Sequence, residues 1–255
     1  MAERIVVLQK GVLVVTGGSR GIGAATAELA ARDGWSVVVN YRADEQAAHA
    51  VVDRICADGG KAVAVRGDVA DTGNVRRLFA EADALGTIGG LVNNAGIVDR
   101  RQRVDEMSPE RLERMMRVNV IGSMLCAQEA VRRMSTRHGG NGGAIVNLSS
   151  VAAVLGAPGQ YVDYAVSKGA IDTFTTGLGR EVAGEGIRVN AVRPGIIDTE
   201  IHASGGEPER VAQMRSVLPM KREGSAGEVA AAIVWLLSEG ASYVTGAILD
   251  VSGGR

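Results

Sequence analysis

A tyrosine and a lysine stand four residues apart in the stretch YVDYAVSKGA, which begins at Tyr161. If residues 164–183 form a helix, Tyr164 and Lys168 lie on one face of it, within reach of each other. A phenol has a pKa near ~10, and a neighbouring ammonium lowers that pKa because it favours the phenolate. The pair predicts a tyrosine that exchanges a proton with a substrate, although this spacing also occurs by chance in many helices. Tyr161 has Ala165 at the fourth position on and is a candidate wall residue.

Further polar residues stand where short apolar runs end. NLSS closes the run at 144–150, and a serine there can donate a hydrogen bond to a substrate oxygen. NNAG (93–96) closes the preceding run, and Asn119 lies inside the helix expected after it. An asparagine within a helix is mildly unfavourable, so Asn119 is either functional or a polar residue that is satisfied locally. The carboxyl ends of parallel strands share one sheet edge, where these residues would meet Tyr164.

The stretch TGGSRGIG follows the first apolar run and opens directly into a helical pattern. Its glycines Gly17, Gly21 and Gly23 follow the spacing G-x-x-x-G-x-G. Glycines allow the backbone to turn sharply and approach a diphosphate, while the helix N-terminus offers free N–H groups and partial positive charge. The pattern predicts a dinucleotide cradle, and the alternative is a plain tight turn.

The end of the second apolar run, VVVNYRADE, indicates which dinucleotide is bound. Many NAD-binding folds carry an acidic residue there that binds the adenosine ribose, but Tyr41 occupies that place and Arg42 follows it. Arg20 lies in the first turn of the preceding helix, where a cation opposes the helix dipole unless an anion is near. We therefore expect a 2′-phosphate, and hence NADP(H), with NAD(H) as the second choice. The alternative is that both arginines are solvated surface residues.

The elements that would position these residues alternate along the chain. Apolar, β-branched runs alternate with segments of helical periodicity, and runs that are apolar throughout are typical of strands covered on both faces. This alternation predicts an α/β fold with one doubly wound, Rossmann-type, seven-stranded parallel sheet and helices on both faces. With no Pro- or Ser-rich linker, repeat or charge run to divide it, residues 1–255 are expected to form one domain. The seven strands are predicted at 12–16, 36–39, 62–66, 90–94, 144–150, 187–192 and 247–251.

Two loops interrupt this pattern. The stretch at 138–143, HGGNGG, is expected to be a flexible connector, and the polar stretch at 201–224 is expected to be a lid over the site. His202, in the presumed lid, is expected to be a surface residue.

Composition excludes several classes of function. The chain has 255 residues, 46% of them apolar, and a formal net charge of −1, so no global field attracts nucleic acid or an anionic membrane. The three histidines have no metal-ligand spacing, so no catalytic metal is expected. Cys56 and Cys126 lack CxxC spacing and are expected to be buried or half-buried, without a disulfide. No signal-peptide core or membrane-spanning stretch is visible, so a cytoplasmic location is the default expectation.

Six motifs occur in an order that resembles the classical short-chain dehydrogenases/reductases over essentially the full chain. They are TGGSRGIG, DV at 68–69, NNAG, Asn119, Ser150 with YAVSK, and RPGIIDT at 193–199. The resemblance implies an oxidoreductase that interconverts a carbonyl and a secondary alcohol by hydride transfer. It also implies a homotetramer, in which the helices at 110–137 and 164–183 pair between subunits and carry apolar residues such as Met124, Phe174 and Leu178.

The resemblance also implies individual roles. Tyr164 would donate or accept the proton, Lys168 would lower the pKa of Tyr164 and hold the nicotinamide ribose, and Ser150 would steady the substrate oxygen. Asn119 would hold a water that links Lys168 to solvent, and Asn93 would brace the sheet. The implied cofactor-binding residues are Gly17, Ser19, Arg20, Gly21, Ile22, Gly23, Tyr41, Arg42, Asp68, Val69, Asn94, Ala95, Gly96, Tyr164, Lys168, Pro194, Gly195, Ile197 and Thr199.

The chain also departs from the family pattern. Ser150 and Tyr164 are fourteen positions apart, one more than in many relatives, so the loop is expected to bulge near the substrate. Ser150 is preferred to Ser149 because it precedes the VAA segment, as in relatives.

The substrate is not readable from the motifs. GAPGQYVDYAVSKGAIDT and HASGGEPERV resemble a bacterial glucose- or sugar-dehydrogenase-like subgroup, and an NAD-preferring sugar dehydrogenase is one alternative. The other is a catalytically idle NADP-binding sensor or scaffold. Three arginines after NNAG, at positions 100, 101 and 103, could attract an acidic substrate, but a solvated loop is the favoured interpretation.

Overall fold

The structure is a computed structural model that describes residues 10–199, 206 and 210–255. Seven parallel strands form one sheet in the order β3-β2-β1-β4-β5-β6-β9, and each of the seven predicted strands is present in it. A second, two-stranded sheet pairs β7 with β8. The strands are β1 Val12–Val15, β2 Ser36–Tyr41, β3 Lys61–Arg66, β4 Ile88–Asn93, β5 Gly143–Leu148, β6 Ile187–Pro194, β7 Ile197–Asp198, β8 Gly224–Ser225 and β9 Ile248–Val251.

Helices cover both faces of the large sheet, and most begin at a recognisable cap. Asp44, Asp71 and Ser108 each accept a hydrogen bond from a backbone N–H in the first turn of the helix that follows. The helices are α1 Gly21–Arg32, α2 Glu45–Ala57, α3 Thr72–Leu85, α4 Pro109–Met116, α5 Gly122–Met134, α6 Ala152–Leu155, α7 Val162–Val182, α8 Arg210–Met214 and α9 Ala226–Leu237.

Alternate residues of each strand enter two separate cores. Leu13 and Val15 pack with residues of α1, α2 and α9, whereas Val12 and Val14 pack on the other face with residues of α3 and α5. A strand that supplies side chains to both cores must be apolar at every position, which explains the unbroken run VLVV. The sheet therefore has the predicted doubly wound α/β, Rossmann-type architecture.

The strand order reverses between β1 and β4, and a crevice opens there at the carboxyl ends of the strands. The motifs that follow β1, β2, β4, β5 and β6 therefore lie at this edge of the sheet. None of the described helices is long and apolar enough to cross a membrane.

Two local expectations are wrong or incomplete. The expected flexibility of the loop at 138–143 stays a prediction, although its backbone is packed closely at one point, where a Cβ at Gly140 would lie 2.3 Å from the Arg133 carbonyl oxygen. Cys56 is exposed, whereas Cys126 is buried. The helix expected at 110–137 is divided by a π-helical turn at 117–121, which contains Asn119.

Much of the predicted lid at 201–224 lies outside the described residues, including His202. Of its described part, α8 is helical and Leu218 is buried.

Candidate active site

Two adjoining cavities follow the crevice, and they share Ile22, Asn94, Gly96, Val98 and Thr199 in their walls. The larger, of about 340 Å³, runs from the glycine-rich turn past β2 and is here called the dinucleotide chamber. The other, of about 200 Å³, contains Ser150, Tyr164 and Lys168 and is called the substrate chamber. The cleft thus joins the predicted cradle to the predicted proton-transfer residues.

Backbone geometry shapes the glycine-rich turn at the start of α1. Gly17 and Gly21 have φ values of +60° and +53°, in the left-handed region that favours glycine. A Cβ at Gly23 would lie 2.4 Å from the Gly17 carbonyl oxygen and 2.5 Å from Asn94 Nδ2. Gly23 therefore lies behind the turn, where α1 approaches β4, and does not line the chamber.

Two asparagine side chains fix this turn through hydrogen bonds to its backbone. Asn94 Nδ2 donates hydrogen bonds to the carbonyl oxygens of Thr16 and Gly17, at 2.9 and 2.8 Å. Asn40 Oδ1 accepts from Gly17 N, and Asn40 Nδ2 donates to the carbonyl oxygen of Gly67. Asn40 was not among the predicted residues, and the signal for it was a polar side chain inside the apolar run VVVNY.

Two exposed arginines border the dinucleotide chamber. Neither the Arg20 nor the Arg42 guanidinium has a hydrogen bond or an ion pair with another described residue, so both cations are available to an anion. Tyr41 fills the position of the expected acidic residue, and its side chain is buried in the core. Asp44 also lines the chamber, but its Oδ1 accepts from Ala47 N as the cap of α2.

Tyr164 and Lys168 lie on the same face of α7 and both line the substrate chamber. Lys168 Nζ lies 5.6 Å from the centroid of the Tyr164 ring and donates a 2.7 Å hydrogen bond to the carbonyl oxygen of Leu148. Tyr161 meets Tyr164 edge to face, with ring centroids 5.8 Å apart, and forms part of the wall.

Burial is the main cause of the pKa shifts of this pair. Burial raises the pKa of Tyr164 to about 12, and a hydrogen bond with the Ser150 side chain opposes that rise. Burial also lowers the pKa of Lys168 to about 8, with the Asp172 carboxylate acting in the opposite direction. The lowering of the Tyr164 pKa by Lys168 stays a prediction, since desolvation is the largest cause of both shifts.

The two serines at the end of β5 face different partners. Ser149 Oγ donates to the carbonyl oxygen of Lys168, whereas Ser150 Oγ accepts from Ala152 N and its side chain contacts Tyr164. Ser150 is thus the serine beside the phenol, as preferred from the sequence.

Asn119 is buried and does not line either chamber in the described part of the chain. Its Oδ1 accepts from Ile97 N at 2.8 Å, and its Nδ2 donates to Ser167 Oγ at 3.1 Å. The side chain therefore connects the loop after β4 to α7, one residue before Lys168. Asn93, as expected, braces the sheet, because its Nδ2 donates to Asn147 Oδ1.

A buried ion pair anchors the start of α7, the helix that carries Tyr164 and Lys168. The Arg111 guanidinium bonds both carboxylate oxygens of Asp163, at 2.8 and 3.2 Å, with side chains only 8% and 2% exposed. Arg111 Nη1 also donates to the carbonyl oxygen of Arg100 and to Gln102 Oε1. Because Asp163 immediately precedes Tyr164, this arginine ties α4 and the loop after β4 to the turn that carries the phenol.

The other predicted cofactor residues line the cleft. The three arginines at 100, 101 and 103 are exposed, and none of them lines the described wall of either chamber. Sequence reasoning missed several residues of the substrate chamber, among them Gln160 and Arg255, because nothing in the motifs marks them.

Among the described residues, no group of three or more His, Cys, Asp or Glu side chains could hold a metal ion. The predicted residues that line the cleft are Gly17, Ser19, Arg20, Gly21, Ile22, Tyr41, Arg42, Asp68, Val69, Asn94, Ala95, Gly96, Ser150, Tyr164, Lys168, Pro194, Gly195, Ile197 and Thr199.

Comparisons with known proteins bear on this arrangement. A family model described as enoyl-(acyl carrier protein) reductase matches residues 17–255. An uncharacterized oxidoreductase of Escherichia coli K12, YgfF, is 55% identical over 96% of this chain and 99% of its own. A short-chain dehydrogenase from Burkholderia cenocepacia J2315, in complex with NADP, has a TM-score of 0.88 and 34% identity over 97% of this chain and 98% of its own. The chain belongs to the short-chain dehydrogenase/reductase family.

As a short-chain dehydrogenase/reductase, the protein is an oxidoreductase. The resemblance to glucose-dehydrogenase-like proteins is also present, since glucose 1-dehydrogenase 2 of Bacillus subtilis is 40% identical over 94% of this chain and 93% of its own. The family accounts for the arrangement of the cleft, in which a glycine-rich turn and a tyrosine–lysine pair lie at opposite ends.

Proposed function

We propose that the protein is an NADP(H)-dependent oxidoreductase that interconverts a carbonyl and a secondary alcohol, with Tyr164 as the general acid and base. The observation that carries this proposal is the position of the Tyr164 phenol beside Ser150, at the end of a cleft that begins at the glycine-rich turn. Reduced nicotinamide, when bound, supplies the hydride, and the chain supplies the proton and the positions of the reactants.

In the direction of reduction, Ser150 donates a hydrogen bond to the substrate oxygen and holds the carbonyl against Tyr164. The Tyr164 hydroxyl donates its proton to that oxygen as the carbonyl carbon accepts hydride, which yields the alcohol. The Lys168 ammonium, beside the phenol, stabilises the phenolate that remains until it is reprotonated. Asn119 acts behind Lys168, where the family resemblance assigns it a water that leads to solvent. Oxidation of the alcohol is the reverse.

The residues of the dinucleotide chamber fit NADP(H). Gly17 and Gly21 let the backbone approach the diphosphate, and the start of α1 supplies N–H groups. Arg20 and Arg42 have no anionic partner among the described residues and would pair with a 2′-phosphate. The relative from Burkholderia cenocepacia binds NADP, which supports this choice over NAD(H).

We also propose a cytoplasmic homotetramer in which each chain is one domain. Apolar side chains are exposed on the helices that the family pairs between subunits: Met124 on α5 is 41% exposed, and Leu112 and Val166 lie on α4 and α7. Phe174 and Leu178, in contrast, pack partly against the core of their own chain. Sedimentation of the purified protein tests this state.

The decisive experiment compares Tyr164→Phe with the parent protein against a panel of carbonyls and sugars, with NADPH and with NADH. We expect kcat to fall about 10²- to 10⁴-fold, the usual contribution of general acid–base catalysis, while the Kd for NADPH stays within about twofold because no dinucleotide-chamber group has changed. Tyr243→Phe, on the fully exposed surface, is the matched control.

Each alternative predicts a different result of that experiment. Near-normal turnover by Tyr164→Phe would contradict the proposed role of Tyr164 as general acid and base. Faster turnover with NADH would overturn the cofactor choice and favour an NAD-preferring dehydrogenase. Tight NADPH binding without turnover of any compound would favour the idle sensor or scaffold.

A further inference from the structure

Apolar side chains form much of the wall of the substrate chamber. The chamber has a volume of about 200 Å³, and the loop between β5 and α7 supplies most of this wall. Part of the wall forms a small cluster of its own, separate from the two cores of the sheet. The apolar side chains that face the chamber include Val98, Val151, Leu155, Ala157, Tyr161 and Ile196.

Several polar groups of the chamber are engaged with the chain, and Gln160, Thr199 and Arg255 also line it, the first and last of them with partners of their own. Ser149 Oγ donates to the carbonyl oxygen of Lys168, Lys168 Nζ donates to that of Leu148, and Asn94 Nδ2 donates to Thr16 and Gly17. No aspartate or glutamate is present among the described lining residues. A substrate with several hydroxyl groups would lose hydrogen bonds to water on entry and regain few of them.

The mouth of the chamber carries an exposed leucine. Leu155 is 47% exposed and lines the chamber at the end of α6. The backbone beyond it is unusual, because Gly156, Ala157 and Gly159 all have positive φ values. Ala157, at φ +45°, is a non-glycine residue in the left-handed region, and its methyl group is held in the apolar cluster with Tyr161. The bulge expected from the extra residue therefore shapes an apolar surface.

We infer that this site takes ketones and secondary alcohols with a hydrocarbon substituent of several carbons, and discriminates against polyhydroxylated compounds such as sugars. The inference rests on the proposed function and specifies its substrate class. The oxygen of such a substrate faces Ser150 and Tyr164, while the hydrocarbon lies against Leu155, Ala157 and Tyr161. The apolar wall thus determines specificity, and the resemblance to glucose dehydrogenases does not extend to it.

A homologous series of 2-alkanones tests the inference by turnover. With NADPH, we expect kcat/KM to rise about two- to fourfold for each methylene from 2-butanone to 2-octanone, as burial of hydrocarbon predicts. Dihydroxyacetone and glucose are the polar comparison compounds. Higher kcat/KM for either of them than for 2-hexanone would overturn the inference while leaving the proposed oxidoreductase intact.

Binding provides a second measurement that does not depend on turnover. Carboxamides present a carbonyl oxygen but are not reduced, so acetamide, propanamide, butanamide and hexanamide can be titrated calorimetrically into the protein with NADP⁺. We expect affinity to increase along this series, and we expect propanamide to bind more tightly than glyceramide, which has the same number of carbons. Equal or falling affinity would overturn the inference even if no compound is turned over, whereas absent turnover with rising affinity would contradict only the proposed function.

A pair of variants on α6 locates the effect. Leu155→Asn should reduce the gain in kcat/KM between 2-butanone and 2-octanone at least threefold, and reduce hexanamide affinity by a similar factor. Val154→Asn is the matched control, because Val154 is 63% exposed on the same short helix but does not line the chamber. Equal effects of the two substitutions would show that the leucine does not contact the substrate.

Discussion

The two chambers of the cleft are built in different ways. The dinucleotide chamber is formed largely by backbone: glycines at positive φ, backbone N–H and carbonyl groups held by Asn40 and Asn94, and a helix N-terminus. The substrate chamber is formed by side chains on a loop, and its catalytic helix is tied down by a buried ion pair between Arg111 and Asp163. Backbone construction tolerates almost no change in residue type, whereas a wall of side chains can be altered while the catalytic groups stay in place.

This contrast agrees with the ligands that the two chambers are proposed to bind, one constant in structure and the other variable. A dinucleotide offers the same diphosphate in every member of the family, so one backbone geometry suffices for it. Substrates differ, and most of the segment from Val151 to Tyr161, which supplies much of the substrate chamber's wall, lies between β5 and α7 rather than within either of them. The two ends of this loop are held in place by hydrogen bonds. Ser150 Oγ accepts one at its start, and the Arg111–Asp163 pair anchors its end.

The largest expected effect is on the buried ion pair. Asp163→Asn keeps the size of the side chain but removes the carboxylate that bonds the buried Arg111 guanidinium, which costs about 3–5 kcal/mol of unfolding free energy. Urea unfolding at fixed protein concentration measures the loss. The control is Asp58→Asn, which breaks an exposed pair with Arg32 between α1 and α2 and should cost less than about 1 kcal/mol. Similar losses for the two variants would show that the Arg111–Asp163 pair does not anchor the substrate side.

A glycine of the dinucleotide side should give the next largest effect. Gly23→Ala places a methyl group 2.4 Å from the Gly17 carbonyl oxygen, so α1 must move away from β4. We expect a loss of about 2–3 kcal/mol in unfolding free energy, typical of overpacking, and at least a tenfold weaker Kd for NADPH by fluorescence titration.

Gly177→Ala is the matched control for that substitution. Gly177 lies inside α7, and a Cβ there would meet nothing within 4 Å. Alanine favours a helix interior over glycine by about 0.5–1 kcal/mol, so this variant should be slightly more stable and bind NADPH normally. A Gly23→Ala protein with an unchanged Kd would contradict the view that the turn tolerates no side chain.

The same contrast explains what could be predicted from the sequence. The strands, the glycine-rich turn and Tyr164 with Lys168 were predictable because periodicity and short spacings record local structure. The Arg111–Asp163 pair joins residues 52 positions apart and has no local signature. Burial also decided two outcomes that residue types alone could not: the raised pKa of Tyr164, and the place of Asn119 behind the cleft in a π-helical turn. The exposure of Cys56 likewise depends on which face of α2 meets the sheet.

The smallest expected effect tests the wall of the substrate chamber. Ala157→Gly removes the strain of a non-glycine residue in the left-handed region. It also removes a buried methyl group and raises the conformational entropy of the unfolded chain, and both of these changes destabilise the fold. These contributions oppose one another, so unfolding free energy should change by less than about 1 kcal/mol. The KM for 2-hexanone should still rise two- to fivefold, because the wall loses a contact and its loop loses order, while the Kd for NADPH stays constant.

A second positive-φ residue in that loop provides the control. Gly159, at φ +67°, does not line the chamber, and a Cβ there would meet nothing within 4 Å. Gly159→Ala should therefore cost about 1–2 kcal/mol through left-handed strain alone and leave the KM unchanged. If Ala157→Gly shifted the Kd for NADPH as strongly as the KM, the two chambers would be coupled through the loop and the distinction between them would fail. A change confined to the KM would instead show that the loop acts on the substrate through its side chains, separately from the backbone that binds the dinucleotide.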